Sequence, residues 1–147
     1  MQDIIKTILR ESVHAPSGDN SQPWQFKVTL TTAQVWNVPG KESLVFNADQ
    51  QSSLVSCGAL IETICLRASS YGYETSVNLF PDTREENYVA SITFTASQIQ
   101  EDDLSSYVFK RVTNRYAYTG DPVPKQDQQF ITEVVRYAQL KSIIGTN

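Results

Sequence analysis

With 147 residues, 40% of them hydrophobic and 19% charged, the chain has the composition of one globular domain, large enough for its own core and too small for two independent ones. A net charge of −4 and a pI near 4.9 exclude a broad basic face, and with it nucleic-acid or anionic-membrane partners. No apolar run approaches the ~20 residues of a membrane span, and the N-terminus has no basic region followed by an apolar one, so a cytoplasmic location is expected.

In chain order, Ile4, Ile5, Ile8, Leu9 and Ser12 fall at helical spacing, and Asp3 sits near the positive end of the dipole, predicting an amphipathic helix over residues 3–14. Ala15–Phe26 is the densest run of turn formers in the chain. Pro16, Gly18, Asp19 and Asn20 stop the helix, and Pro23 forces the chain to re-emerge extended into a strand over Trp24–Leu30. The joint presents Ser17, Asn20, Ser21 and Gln22, with several free backbone N–H groups, in an arc suited to a planar hydrogen-bonding ligand. A turn at Thr31–Ala33 leads to a second strand, Gln34–Val38, broken by Pro39-Gly40, and Leu44–Phe46 reads as a third short strand.

The longest periodic stretch, Gln51–Tyr71, carries Leu54, Val55, Leu60, Ile61, Ile64, Cys65 and Ala68 at intervals of three and four. This is a central helix of ~30 Å, apolar over more than one stripe. Gly58 in its middle costs roughly 1 kcal/mol relative to Ala, which points to close approach by another backbone or a ligand. Gly72 is placed to end the helix in the left-handed region. Strands follow at Glu74–Phe80 and Tyr88–Thr95, then a helical stretch at Glu101–Lys110, and a last helix at Gln126–Leu140 with Phe130, Ile131, Val134 and Val135 on one face. Lys141–Asn147 reads as a frayed tail, and no repeat or linker marks a domain boundary, so one domain spans residues 1–147.

The usual catalytic constellations are missing. Cys57 and Cys65, on one helix, are ~12 Å apart along its axis, too far for a disulfide. With His14 the single histidine, neither a metal cluster nor a Ser-His-Asp triad is assembled; His14 reads as a helix-terminal residue capping carbonyls. Glu101-Asp102-Asp103 reads as a solvated helix start. Two segments remain. Arg111 and Arg115, with Thr113 between them, could hold a phosphate monoester or could be a surface turn pairing with carboxylates such as Asp121. Ala15–Trp24, on spacing alone, reads more readily as an elaborate turn with a buried Trp than as a ligand site.

Together these segments carry a resemblance. Ala15-Pro-Ser-Gly-Asp-Asn20-Ser-Gln-Pro-Trp24 resembles the Ala-Pro-Ser-x-x-Asn-x-Gln-Pro-Trp signature of the nitroreductase superfamily. Ser56-Cys-Gly-Ala-Leu60 is similar to that family's Gly-Ala dimer helix, and Arg111-Val-Thr-Asn-Arg115 to its Arg-rich segment at the FMN phosphate. The Arg segment follows the Asn-x-Gln-Pro-Trp segment here, an order closest to the Acg-like branch, in which one polypeptide holds two halves; this chain then corresponds to an N-terminal half.

The resemblance implies an α+β fold, with a mainly antiparallel sheet flanked by helices around a long central one. It implies FMN as cofactor, with Ser17, Asn20 and Gln22 at the ring and ribityl edge, Pro23 and Trp24 shaping the wall, and Arg111, Thr113 and Arg115 at the phosphate. It implies NAD(P)H as reductant, a nitroaromatic or quinone acceptor, no residue obliged to act as acid or base, and a homodimer with the site at the subunit boundary. The rival expectations are a non-catalytic module with weak or no flavin binding that acts in interaction or regulation, and a plain dimerisation domain.

Overall fold

The first helix, α1 (Gln2–Ser12), buries Ile5, Ile8, Leu9 and Ser12, the i, i+3, i+4, i+7 stripe that the periodicity predicts. Ile4, one position off that stripe, is 37% exposed. Ser12 is tolerated in the core because its hydroxyl donates to Ile8 O at 2.8 Å, which removes the cost of burying an unpaired polar group. The computed structural model to which these elements belong describes residues 1–42, 47–117 and 120–137. It divides into two compact units, Met1–Val112 and Thr113–Asn147.

In the first unit, β1 (Trp24–Val28) and β2 (Thr32–Asn37) form an antiparallel hairpin in which Trp24 faces Asn37 and Val28 faces Ala33. The turn falls earlier than the sequence suggests, at Thr29–Thr32. Thr29 N–H donates to Thr32 O at 2.9 Å, and the two threonine hydroxyls bond each other at 2.6 Å, closing the turn with side chains that a propensity argument assigns to a strand. The expected strand at 44–46 lies outside the described residues.

The long helix is α2 (Gln51–Ser70), 20 residues. Asn47 stands before it as a polar clamp: its Oδ1 accepts from Ser53 N–H and its Nδ2 donates to Ser53 Oγ. Gly72, at φ +71°, turns the chain out of α2 into β3 (Tyr73–Leu79), the left-handed geometry that favours glycine. β4 (Tyr88–Ala96) then pairs with both β3 and β2, giving an all-antiparallel sheet of order β1-β2-β4-β3. The core gathers Ile5 and Ile8 from α1, Cys57, Leu60, Ile64 and Ala68 from α2, and Val35, Ala90, Ile92 and Phe94 from the sheet. This is the expected α+β architecture.

The helical stretch expected over 101–110 is not an α-helix. It is a short 3-10 turn, Asp103–Tyr107, in which Asp102 Oδ1 accepts from Leu104 N–H at 2.8 Å. Asp102 N–H itself donates to Ser69 Oγ, and the buried Ser105 hydroxyl accepts from Arg67. Asp and Ser side chains here offer the backbone local bonds that compete with a helical ladder. In the second unit, α3 (Lys125–Tyr137) carries Phe130, Ile131 and Val134, all exposed; the rest of the helix expected to Leu140, and the tail after it, lie outside the described residues.

Candidate functional site

The residues after α1 fold into a tight loop whose shape is set by left-handed backbone. Asp19, Asn20 and Gln22 have φ of 48°, 56° and 49°, a region L-residues visit sparingly, Asn and Asp with the least reluctance. The free backbone N–H groups expected here are mostly engaged. Asn20 N–H donates to Ser17 O, Ser21 N–H to Gly18 O and Trp24 N–H to Gln22 O, while Gln22 N–H donates to Ser17 Oγ at 3.0 Å. The Gln22 side-chain amide reaches back to Val13 O. The arc is therefore largely self-satisfied, leaving the exposed Asp19 and Asn20 side chains and the Ser17 hydroxyl proton as its outward groups.

Pro23 and Trp24 are buried. Pro23 O accepts from Val38 N–H at 3.0 Å, so this pair ties the loop to the hairpin and core from behind.

A residue with no signal in the sequence organises the loop from below. Glu42 is 6% exposed, and its Oε1 accepts from Gly18 N–H at 3.2 Å, Ser21 Oγ at 3.1 Å and Ser56 Oγ at 3.1 Å; the Ser52 hydroxyl bonds the same carboxylate. Burial pushes the Glu42 carboxyl up, but these four donors outweigh it and hold its pKa below the ordinary value. A Cβ on Gly18 would lie 3.2 Å from Glu42 Oε1 and 3.3 Å from Ser52 Oγ. Lys41-Glu42, following a Pro-Gly turn, reads as solvent-facing surface; only the convergence of Ser21 and Ser56 on it reveals its place.

Two hollows adjoin α2. One, of about 470 Å³, lies between Pro16, Ser17 and Gly18 and the helix residues Ser52, Val55, Ser56 and Ala59. The other, of about 190 Å³, takes Thr63 and Leu66 from α2 and closes against Tyr107, Val108, His14 and Arg111. Ser52, Ser56, Ala59, Thr63 and Leu66 follow one another at steps of four, three, four and three, so they form one helical face. The two hollows lie one after the other along that face, roughly 20 Å from end to end at 1.5 Å per residue: a loop-end groove beside the candidate loop and a second hollow beside Arg111.

Arg111 Nη2 donates to His14 O at 3.1 Å. Among the described residues the His14 side chain caps no carbonyl; its ring meets Phe109 edge-on at 5.1 Å between centroids. Ser17 and Gly18 thus border one hollow and Arg111 the other along the same α2 face in the first unit, whereas Thr113 and Arg115 belong to the second unit. Gly58, expected to mark close approach, has nothing within 4 Å of its Cβ position among the described residues. Among the described residues no group of three or more His, Cys, Asp or Glu could hold a metal, and no helix is long and apolar enough to cross a membrane.

The groove's loop-end wall is built mostly of small residues, Gly18, Ser52, Ser56 and Ala59, with Val55 and Gln51 among them. The electrostatics separate the two ends of the face: the Glu42 carboxylate beneath the loop end disfavours an anion there, and Arg111 favours one at the other.

The chain superposes on solved structures. A nitroreductase family protein from Clostridium difficile superposes with a TM-score of 0.55 at 13% identity, over 84% of this chain and 88% of that one. A Clostridium acetobutylicum protein provisionally titled an NADH oxidase gives 0.56 at 14%, over 83% and 90%. The fold is the nitroreductase fold. In sequence, the chain is 29% identical over 127 residues to a Mycobacterium tuberculosis protein provisionally named an NAD(P)H nitroreductase, covering 85% of this chain and 37% of that protein. It is 27% identical over 125 residues to Acg of the same species, also provisionally named an NAD(P)H nitroreductase, covering 82% and 37%. The resemblance to nitroreductases of the Acg kind read from the motifs is therefore present along most of the chain, on a nitroreductase fold. The chain spans a little over a third of the length of these curated relatives. No family model matches it.

Proposed function

We propose that this chain is an FMN-binding oxidoreductase module of the nitroreductase type. The observation that carries the reading is the single α2 face that runs from the Ala15–Trp24 loop to Arg111, with a carboxylate under one end and a guanidinium at the other. Bound FMN would supply two-electron transfer from NAD(P)H to a nitroaromatic or quinone acceptor.

The residues of the chain bind and orient. Ser17 and Asn20 offer donors and acceptors to the ring edge, Gly18 and the small α2 residues leave room for its face, and Gln22 fixes the loop through Val13. Arg111 takes the phosphate. The family resemblance adds Thr113 and Arg115 to that phosphate, and this assignment rests on the resemblance alone. With the chemistry carried by the flavin, no protein side chain needs to move a proton.

A homodimer is part of the proposal. Gln51, Val55, Gly58 and Glu62, at steps of four, three and four, form an exposed stripe on α2 whose first two residues also line the loop-end groove, with Val55 74% exposed. A second copy on that stripe would complete the groove's open side.

The decisive experiment is flavin titration of the purified protein, with visible absorption as readout, followed by NAD(P)H oxidation with a nitroaromatic acceptor. Saturable FMN binding that is lost in Arg111→Ala/Arg115→Ala is the expected result. The second reading, a module that binds flavin weakly or not at all and acts in interaction, is favoured by one observation: the loop spends most of its polar groups on itself. Absence of binding at any FMN concentration would select it.

A further inference from the structure

We propose that Glu42 is the positioning residue of this groove: its buried carboxylate holds the Ser17–Gln22 loop in its left-handed conformation against α2 and so forms the groove's wall. The identity of the ligand rests on the flavin reading; the clamp does not.

Two independent observations meet here. The loop is strained, with Asp19, Asn20 and Gln22 all at positive φ, and such geometry persists only where the surroundings over-determine it. Apolar packing does not do so, because none of the residues from Ser17 to Gln22 is buried. The loop's other bonds close it on itself or tie Gln22 to Val13 and Lys41. Glu42 alone, among the described bonds, joins Gly18 and Ser21 of the loop to Ser56 of α2 through one oxygen. Hydrogen bonds to a carboxylate are stronger than those between neutral groups, and this one sits where burial keeps water away from it.

The same charge acts on whatever fills the groove. A fixed carboxylate beneath the loop end opposes gain of negative charge by a bound ring, so the clamp also sets the ring's reduction midpoint lower than a neutral clamp would.

The test is Glu42→Gln, which keeps the size but replaces the anion. In the ligand-free protein, amide hydrogen exchange at Asn20 and Gln22, neither of which bonds Glu42 directly, is expected to accelerate by about tenfold or more, while Leu60 in α2 is unchanged. With FMN, the dissociation constant is expected to rise by a similar factor and the midpoint potential of the bound flavin to move in the positive direction. Unchanged exchange at Asn20 and Gln22 overturns the clamp. Faster exchange with unchanged FMN affinity and potential overturns the positioning role and leaves a merely structural contact. If the wild type takes up no FMN, the flavin reading fails while exchange still decides the clamp. Should Glu42→Gln not fold, Ser21→Ala removes one half-buried loop-side donor and is expected to show the same exchange change in smaller measure; no change there overturns the proposal.

Discussion

Arg67 Nη2 lies 2.6 Å from Glu11 Oε2 and Arg67 Nε 2.8 Å from the same oxygen, so α1 and α2 are joined by a fork of charge-assisted bonds at the edge of the core. The pair does more than close two helices. Arg67 Nη1 also donates to Ser70 and Ser105, Tyr71 OH donates to Glu11 Oε1 at 2.8 Å, and the guanidinium stands 5.0 Å from the Phe109 ring centroid. Arg67 is thus one of the ties, with the Asp102–Ser69 and Arg111–His14 bonds, that hold the segment carrying Arg111.

Replacing Arg67 with Ala leaves Glu11 without its cation and Ser105 without its donor. With Arg67 and Glu11 side chains 11% and 26% exposed, the expected loss is about 3 kcal/mol, the scale for breaking a largely buried pair from one side. Glu11→Gln, which keeps part of the hydrogen bonding, should cost about half as much. Urea unfolding of the two variants checks this; a change below about 0.5 kcal/mol for Arg67→Ala would place the pair among solvent-screened surface bridges.

Glu42 predicts an acid sensitivity. Its pKa is held below the ordinary carboxylate value, so its stabilisation is fully present above that value of 4.5 and is lost as pH falls through the depressed one. The stability difference between wild type and Glu42→Gln should therefore be constant from pH 7 to about 5 and shrink below 4.5, read by urea midpoints at each pH. A difference that grows on acidification would contradict the assigned sign.

Cys57 predicts an alkaline counterpart. Burial, and secondarily the Glu42 charge, push its thiol up to about 11 from 9.0. The thiol therefore stabilises the fold fully below pH 9.0 and loses that contribution as pH rises through about 11. In native protein at neutral pH it should resist alkylation, since the thiolate is the reactive form and the side chain is 0% exposed. In Glu42→Gln the titration should move down, because one of its two causes is gone. Mass spectrometry of timed alkylation with iodoacetamide reports both.

How much of this was legible in the sequence follows from where the information sits. Elements with a long period were readable: α2 from its intervals of three and four, its end from Gly72, and β3 and β4 from their apolar alternation. Residues 101–110 were not, because Asp102 and Ser105 spend their side chains on local and tertiary bonds that compete with a helix. The Ala15–Trp24 loop was legible as a turn from its prolines and glycine, but not the way it consumes its own donors, which depends on three left-handed residues that no propensity scale assigns to Gln22. The groove was half legible. The helix that carries it was read from its apolar positions, but the Ser52–Ser56–Ala59–Thr63–Leu66 face was not, and Glu42 beneath it depends on Ser21 and Ser56 meeting across 35 positions of chain.

Gly58 separates the monomer from the proposed dimer. A methyl group there meets nothing within 4 Å among the described residues, and its helical backbone needs no special φ, so in an isolated chain Gly58→Ala should stabilise by about 0.5–1 kcal/mol through the lower entropy of the unfolded state. If a second copy covers the Gln51–Val55–Gly58–Glu62 stripe, the same methyl group stands in the contact and should weaken association. Thermal unfolding at low protein concentration should show the gain, and sedimentation equilibrium of both proteins should show the dimer's dissociation constant rising. Stabilisation with unaltered self-association would leave α2's exposed stripe outside the dimer contact, and the groove would then have to be completed from another side.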